Sequence, residues 1–220
     1  MTSLSRAFLA LILVFLSSSG LAQSLSLTFD DGLNPDTQPG AREWNQRILS
    51  HLQQADISAM VFPSLARTGT GAGLDLIMDW ARAGHAVGNH TSMHRSLASD
   101  QVTLADFVRD VKEGDTVLSH FPTWEPMLRF PYLKEGDTTE KRDGMRAWMR
   151  ANGYRAAPVS IDASDWYYNQ IYSMLLKTGA NEKATQIKAA YISFGGIGAC
   201  IYIILGLPLD VGAKSPGRQR

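Results

Sequence analysis

From about residue 24 to residue 161 the apolar residues of this chain change period repeatedly, from two to roughly 3.6 and back, a pattern that confines it to a parallel α/β architecture. Leu25, Leu27 and Phe29 alternate with Ser24, Ser26 and Thr28 as far as Asp30-Asp31-Gly32, which reads as a strand giving way to a loop. Residues 41–55 carry Trp44, Ile48, Leu49 and Leu52 at helical spacing, and residues 58–62 read as a second strand stopped by Pro63. That completes a β-α-β unit. Residues 74–83 read as a second helix, 86–88 as a short strand, and 104–121 as a longer helix with Phe107, Val108, Val111 and Leu118 on one side. A strand over 127–132, a helix over 141–152 capped by Gly153, and an extended segment over 154–161 ending at Asp162 continue the alternation.

Composition limits what such a chain can do. In 220 residues, 45% are hydrophobic and 19% charged, enough for one domain to bury a sizeable core. Lysine plus arginine, 21, equals aspartate plus glutamate, 21, so the basic footprint required by nucleic acid or anionic lipid is missing and a neutral substrate fits better. Cys200 is the single cysteine, which excludes an internal disulfide framework. Arg6, an apolar run over residues 7–16 and small residues up to Ala22 read as a secretory signal peptide over residues 1–22, cleaved before Gln23. Its apolar core is well short of the roughly 20 residues a membrane-spanning helix needs, so the expected product is exported, periplasmic or extracellular, without stable membrane insertion.

The domain is expected over residues 23–190. Beyond Tyr191 the texture changes: residues 192–209 are nearly all apolar or glycine without a clear period, and residues 213–220 are polar and basic. This tail reads as a last strand and helix, as a stretch of marginal membrane-spanning length, or as sequence foreign to the domain, as a frameshift or truncation would leave.

Four clusters carry candidate chemistry. Adjacent carboxylates Asp30 and Asp31 at a strand end repel each other, so one gains from a cation and the other from an arginine; the alternative is a solvated Asp-Gly turn. His90 and His94, four apart, would share one side of a helical turn and grip one divalent ion, zinc being the natural partner of imidazole and carboxylate; unpaired surface histidines are the plainer reading. Asn89-His90-Thr91 is also a glycosylation sequon, read as accidental because a glycan there would cover the ligand. In Leu128-Arg129-Phe130-Pro131-Tyr132, Arg129 can pair with a carboxylate and the Tyr132 N–H can face a developing oxyanion. Asp162, Asp165 and Trp166 either orient Arg129 and wall a sugar site or form a capped turn before a helix.

Thr-Phe-Asp-Asp-Gly, His-Thr-x-x-His, Arg-Phe-Pro-Tyr and Asp-x-x-Asp-Trp, in that order, resemble the motif series of the polysaccharide deacetylases of the NodB-homology type, over roughly residues 24–170. The resemblance implies an irregular (β/α) barrel, incomplete at its C-terminus, with the active site at the C-terminal strand ends. It also implies metal-dependent removal of acetyl groups from an N-acetylated or O-acetylated carbohydrate. Asp31, His90 and His94 would hold one divalent ion, Asp30 would be the general base, and Arg129 would keep Asp30 ionised, itself held by Asp165. Tyr132 would supply the oxyanion donor and, with Trp166 and Asp162, contact the sugar. The family's last motif, a leucine shortly before a general-acid histidine, has no counterpart, because no histidine follows His120. A non-catalytic carbohydrate-binding relative is therefore the alternative.

Overall fold

The computed structural model describes residues 26–194, so residues 1–22 and most of the tail expected over 191–220 lie outside the described residues. The described residues fall into two units, Ser26–Ile161 and the described part of Asp162–Arg220. The first contains β1 (Leu27–Asp31), α1 (Ala41–Gln54), β2 (Ala59–Pro63), the single turn α2 (Leu65–Thr68), α3 (Ala72–Arg82), β3 (Ala86–Asn89), α4 (Leu104–Leu118), β4 (Trp124–Leu128), α5 (Thr139–Ala151) and β5 (Arg155–Ala156). All neighbouring strands pair in parallel, in the order β1-β2-β3-β4-β5.

An unreversed order is informative. Right-handed crossovers then bring every helix to the same face of the sheet, as in a barrel, whereas a doubly wound sheet reverses direction and covers both faces. Leu27, Phe29, Val61 and Val87 face Leu52, Ile77, Trp80 and Leu118 of the helices, and Leu128 faces Phe107, Val111, Met145 and Met149. Met60, Phe62, Met127 and Ala157 form a separate cluster on the opposite, inner face. Among the described residues the sheet is open, an incomplete barrel.

The sequence reading locates most elements, and its errors in β4 and β5 trace to proline. Strand β4 begins at Trp124 rather than 127 and contains Pro126, which cannot donate to a ladder. The register between β3 and β4 slips there, with Val87 opposite Trp124 but Asn89 opposite Leu128. The expected strand over 127–132 stops short because Pro131–Leu133 is a turn of 3₁₀ helix with Tyr132 in the left-handed region. Strand β5 covers two residues rather than 154–161, and Pro158 follows directly on Ala157, whose N–H makes the last bond to Leu128. Helix α5 starts at Thr139, two residues before the expected 141, because the Thr138 side chain accepts from the Lys141 N–H. Its predicted glycine cap is present, Gly153 having φ +72° and the Tyr154 N–H reaching the Met149 carbonyl.

The second unit is described by a helical hairpin, α6 (Asp165–Lys177) and α7 (Asn181–Phe194), turning at Gly179 with φ +73° and packed through Tyr168 against Tyr191 at 5.4 Å. No described helix is long and apolar enough to cross a membrane.

One close contact ties the core to the inner face. A Cβ on Gly88 would sit 2.5 Å from the Phe62 ring and 2.7 Å from Met60, so only glycine fits this position in β3. Gly88→Ala should lower the free energy of unfolding by about 1–3 kcal/mol, the usual cost of overpacking. Urea denaturation followed by circular dichroism measures it; an unchanged midpoint would show that Phe62 yields freely.

Candidate metal centre and active site

Every strand of a parallel sheet delivers its C-terminal end to the same edge, and the candidate residues collect there. Asp30 and Asp31 end β1, His90 follows β3, Arg129 follows β4 and Ala157 follows β5. Alternation along each strand then sorts them, turning Thr28, Asp30 and Arg129 to the inner face where Phe62 lies.

Arg129 is 3% exposed and all of its nitrogens are engaged. Nη1 donates to both carboxylate oxygens of Asp30 at 3.1 Å, Nη2 to Thr28 Oγ1 at 3.0 Å, and Nε to the Ala157 carbonyl at 2.8 Å. The guanidinium lies 4.7 Å from the Phe62 ring centroid, a cation–π contact. Asp30 is thus oriented by a buried cation while a third of its side chain, 32%, stays open to solvent.

Asp31 belongs to a different group. One ligand atom from each of Asp31, His90 and His94 lies within 4.8 Å of the other two. Asp31 Oδ1 is buried and no donor meets it in hydrogen-bond geometry, although His94 Nε2 stands 3.1 Å away and His90 Nε2 3.7 Å away. A buried acceptor left without a hydrogen bond between two imidazole nitrogens is costly unless a cation joins them, so the donor set fits a divalent ion. Burial works to raise the Asp31 pKa, but His94, His90 and Arg67 outweigh it and hold the carboxyl below its usual range. His90, 2% exposed, is pushed down to about 4, mainly by burial, so it is neutral at physiological pH. Its Nδ1 hydrogen-bonds the Arg129 carbonyl at 2.8 Å, which fixes the proton there and leaves Nε2 bare for a metal.

The two histidines do not share a helical turn as their spacing predicts. Beyond Asn89 the chain is a loop in which Thr91 and His94 have φ of +67° and +53°, and this bent backbone brings the rings to 4.8 Å. Asp31, Tyr132 and Leu133 are also left-handed, at +70°, +59° and +57°. Strained residues of this kind persist only where surrounding contacts enforce them. Tyr132 is 59% exposed, and its ring stands edge-on to His94 at 4.9 Å. Asn89 of the sequon is fully buried and bonded to the Val111 carbonyl, Asp115 and Tyr154, which no glycan could reach.

Asp162, Asp165 and Trp166 belong to the second unit. Asp162 Oδ1 accepts from the Ser164 N–H in a turn that leads into α6 without a side-chain cap, Asp165 opens that helix and Trp166 is exposed.

Two residues near the centre escape sequence reasoning. Arg67 on α2 lies 3.9 Å from Asp31 and 3.5 Å from His94. Asp110 on α4 is fully buried, accepting from the Met93 N–H at 2.6 Å and from Arg95 Nε at 3.4 Å, while its carbonyl takes the Ser92 N–H. Asp110 was detectable in principle, since it falls on the same helix stripe as Phe107 and Val111, where a carboxylate must have a partner. Arg67 carries no such sign. Asp110→Ala should weaken divalent-ion binding by about 10- to 100-fold by releasing the His94 loop, and Asp110→Asn by less. Competition with a chromophoric chelator reads this out, and equal affinities would refute the anchoring role.

The polysaccharide deacetylase family profile matches residues 18–156, well over half of the chain. A curated relative, the peptidoglycan-N-acetylglucosamine deacetylase of Bacillus cereus, is 27% identical over 143 residues, covering 64% of this chain and 46% of the relative. The chain thus spans about half the length of that protein. Among solved structures, the catalytic domain of a peptidoglycan N-acetylglucosamine deacetylase from Eubacterium rectale aligns with TM-score 0.49 and 19% identity, covering 64% of this chain and 61% of that one. A mutant of a CE4 family pseudoenzyme with restored enzymatic activity aligns with TM-score 0.48 and 16% identity, covering 69% and 51%. With the profile spanning all of β1 to β5, the chain belongs to the polysaccharide deacetylase family.

Proposed function

We propose that this chain is an exported hydrolase that removes N-acetyl or O-acetyl groups from an acetylated polysaccharide or oligosaccharide, using one zinc ion held by Asp31, His90 and His94. The observation that carries the proposal is the buried Asp31 Oδ1 between two imidazole nitrogens, one residue away from a carboxylate locked by a buried arginine. Two imidazoles and one carboxylate suit zinc. When bound, the ion supplies Lewis acidity toward the acetyl carbonyl and counter-charge for the oxyanion.

The chain's own residues supply the rest. Asp30, aimed by the two Arg129 hydrogen bonds, takes the proton of the attacking water. The Tyr132 N–H donates to the oxygen that becomes negative. An open depression of about 620 Å³ beside the centre is lined by His94, Tyr132, Arg95, Ser96, Ser99, Gln101 and Val102, a mixture of polar groups and one aromatic ring against which a sugar can lie. Trp166 and Asp162 as sugar contacts, and Asp165 as a support for Arg129, rest on the motif resemblance. Export rests on the signal-like pattern of residues 1–22.

A second reading, a carbohydrate-binding relative without efficient turnover, has a specific observation in its favour. The chain has five histidines, and the three besides His90 and His94 all lie toward the opposite edge of the sheet. His51 lies in the last turn of α1 before β2, His85 Nδ1 accepts from the Ala59 N–H at the start of β2, and His120 lies between α4 and β4. None of them can protonate a leaving group at the C-terminal strand ends.

Asp30→Asn should keep the metal and lose about 100-fold or more of the acetyl hydrolysis, whereas Asp31→Asn should lose both. Metal analysis and acetate release measure the two effects; an Asp30→Asn protein with the parent's rate sinks the base assignment. Leaving-group dependence separates the two readings. Aryl acetates, which depart without protonation, should be hydrolysed in an Asp30-dependent way, while N-acetyl amides should lag by the roughly 10²–10⁴-fold a positioned acid supplies. Rapid amide turnover would mean that another residue is the acid, and no Asp30-dependent ester hydrolysis would favour the binding module.

A further inference from the structure

The two candidate histidine ligands are prepared for a metal in opposite ways. His90 gives its Nδ1 proton to the Arg129 carbonyl, so its Nε2, the atom facing Asp31, is free to ligate. His94 also faces Asp31 through Nε2, at 3.1 Å, but its Nδ1 meets Arg67 Nη2 at 3.5 Å. A guanidinium offers donors only and stays charged at all relevant pH, so it can bond only to a bare Nδ1. An imidazole bare at Nδ1 carries its proton on Nε2, where it blocks ligation.

The same side chain also competes for the carboxylate. Arg67 Nε is 3.9 Å from Asp31 Oδ1, the oxygen that His94 Nε2 also faces. Arg67 is held in this place by the fold: α2 follows directly on β2, Ser64 N–H bonds to the Asp31 carbonyl and the Ala66 N–H to the Ser92 carbonyl, which pins the turn between the β1 end and the histidine loop. About half of the Arg67 side chain, 49%, is exposed, so it can swing into solvent without breaking the core.

Building on the metal reading above, we propose that Arg67 is a positioning residue that competes with the metal, holding His94 in its non-ligating tautomer and screening Asp31 until the incoming ion displaces it. The site then binds its ion more weakly, and releases it more readily, than three such ligands would alone. A residue that merely supported the loop would have the opposite effect, because its loss would loosen the ligands.

The test is zinc affinity of the full chain by chelator competition, with Arg67→Gln, Arg67→Ala and Arg67→Lys beside the parent. The Gln and Ala proteins should bind zinc about tenfold more tightly, within the range that residues around metal ligands command, and the Lys protein, which keeps a cationic donor, should stay near the parent. Parent-like or weaker binding by both neutral variants overturns the proposal while leaving the metal reading intact. Absence of zinc binding by parent and variants alike overturns both. Imidazole ¹⁵N shifts of the metal-free parent give a check that needs no variant to fold: His94 should carry its proton on Nε2 and His90 on Nδ1, and a proton on His94 Nδ1 rejects the inference.

Discussion

The buried guanidinium of Arg129 is the interaction on which the rest of the site depends. A cation 3% exposed cannot be left unpaired, and its partners come from Thr28 and Asp30 on β1, Phe62 on β2 and Ala157 beyond β5. The first and last strands of the sheet are thereby joined through one side chain across its inner face. The Arg129 backbone has two further tasks, its N–H bonding to the Asn89 carbonyl and its own carbonyl receiving His90 Nδ1. One residue therefore orients the candidate base and sets the tautomer of a candidate ligand. Gly88, which must lack a Cβ to clear the Phe62 ring, belongs to the same arrangement.

Around this anchor the backbone is bent where the chemistry is concentrated. Asp31, Thr91, His94, Tyr132 and Leu133 all take left-handed conformations that residues with a Cβ normally avoid. For Asp31 the bend separates two neighbours in sequence into two environments, Asp30 against a buried arginine and Asp31 among imidazoles. For His94 it is held by the Thr91 hydroxyl, which accepts the His94 N–H at 3.0 Å, and by Asp110, which accepts the neighbouring Met93 N–H. Local strain of this order, about 1–3 kcal/mol per residue, is sustained only by such a set of contacts.

Much of this was legible in the residues. The period changes located β1, α1, β2, α3, β3, α4 and α5 to within a few residues, because an apolar face must recur at the pitch of the element that carries it. The motif series picked out Asp30, Asp31, His90, His94 and Arg129, which meet at one edge of the sheet. Less legible were β4, whose Pro126 argues against a strand until the register slip is seen, and β5, whose length is set by Pro158 rather than by its apolar pattern.

By itself the sequence determined that the chain is a parallel α/β protein, that its acidic strand end and paired histidines are suited to a divalent ion, and that residues 121–220 contain no histidine. Periodicity, residue type and count are local properties and need no coordinates. Only the tertiary structure decided that a left-handed loop rather than a helical turn unites the histidines, that Asp110 anchors them from α4, and that Arg67 stands against the ligand it faces. These are contacts between segments far apart in the chain. They are created when the sheet forms and brings its strand ends together, and no spacing along the backbone encodes them.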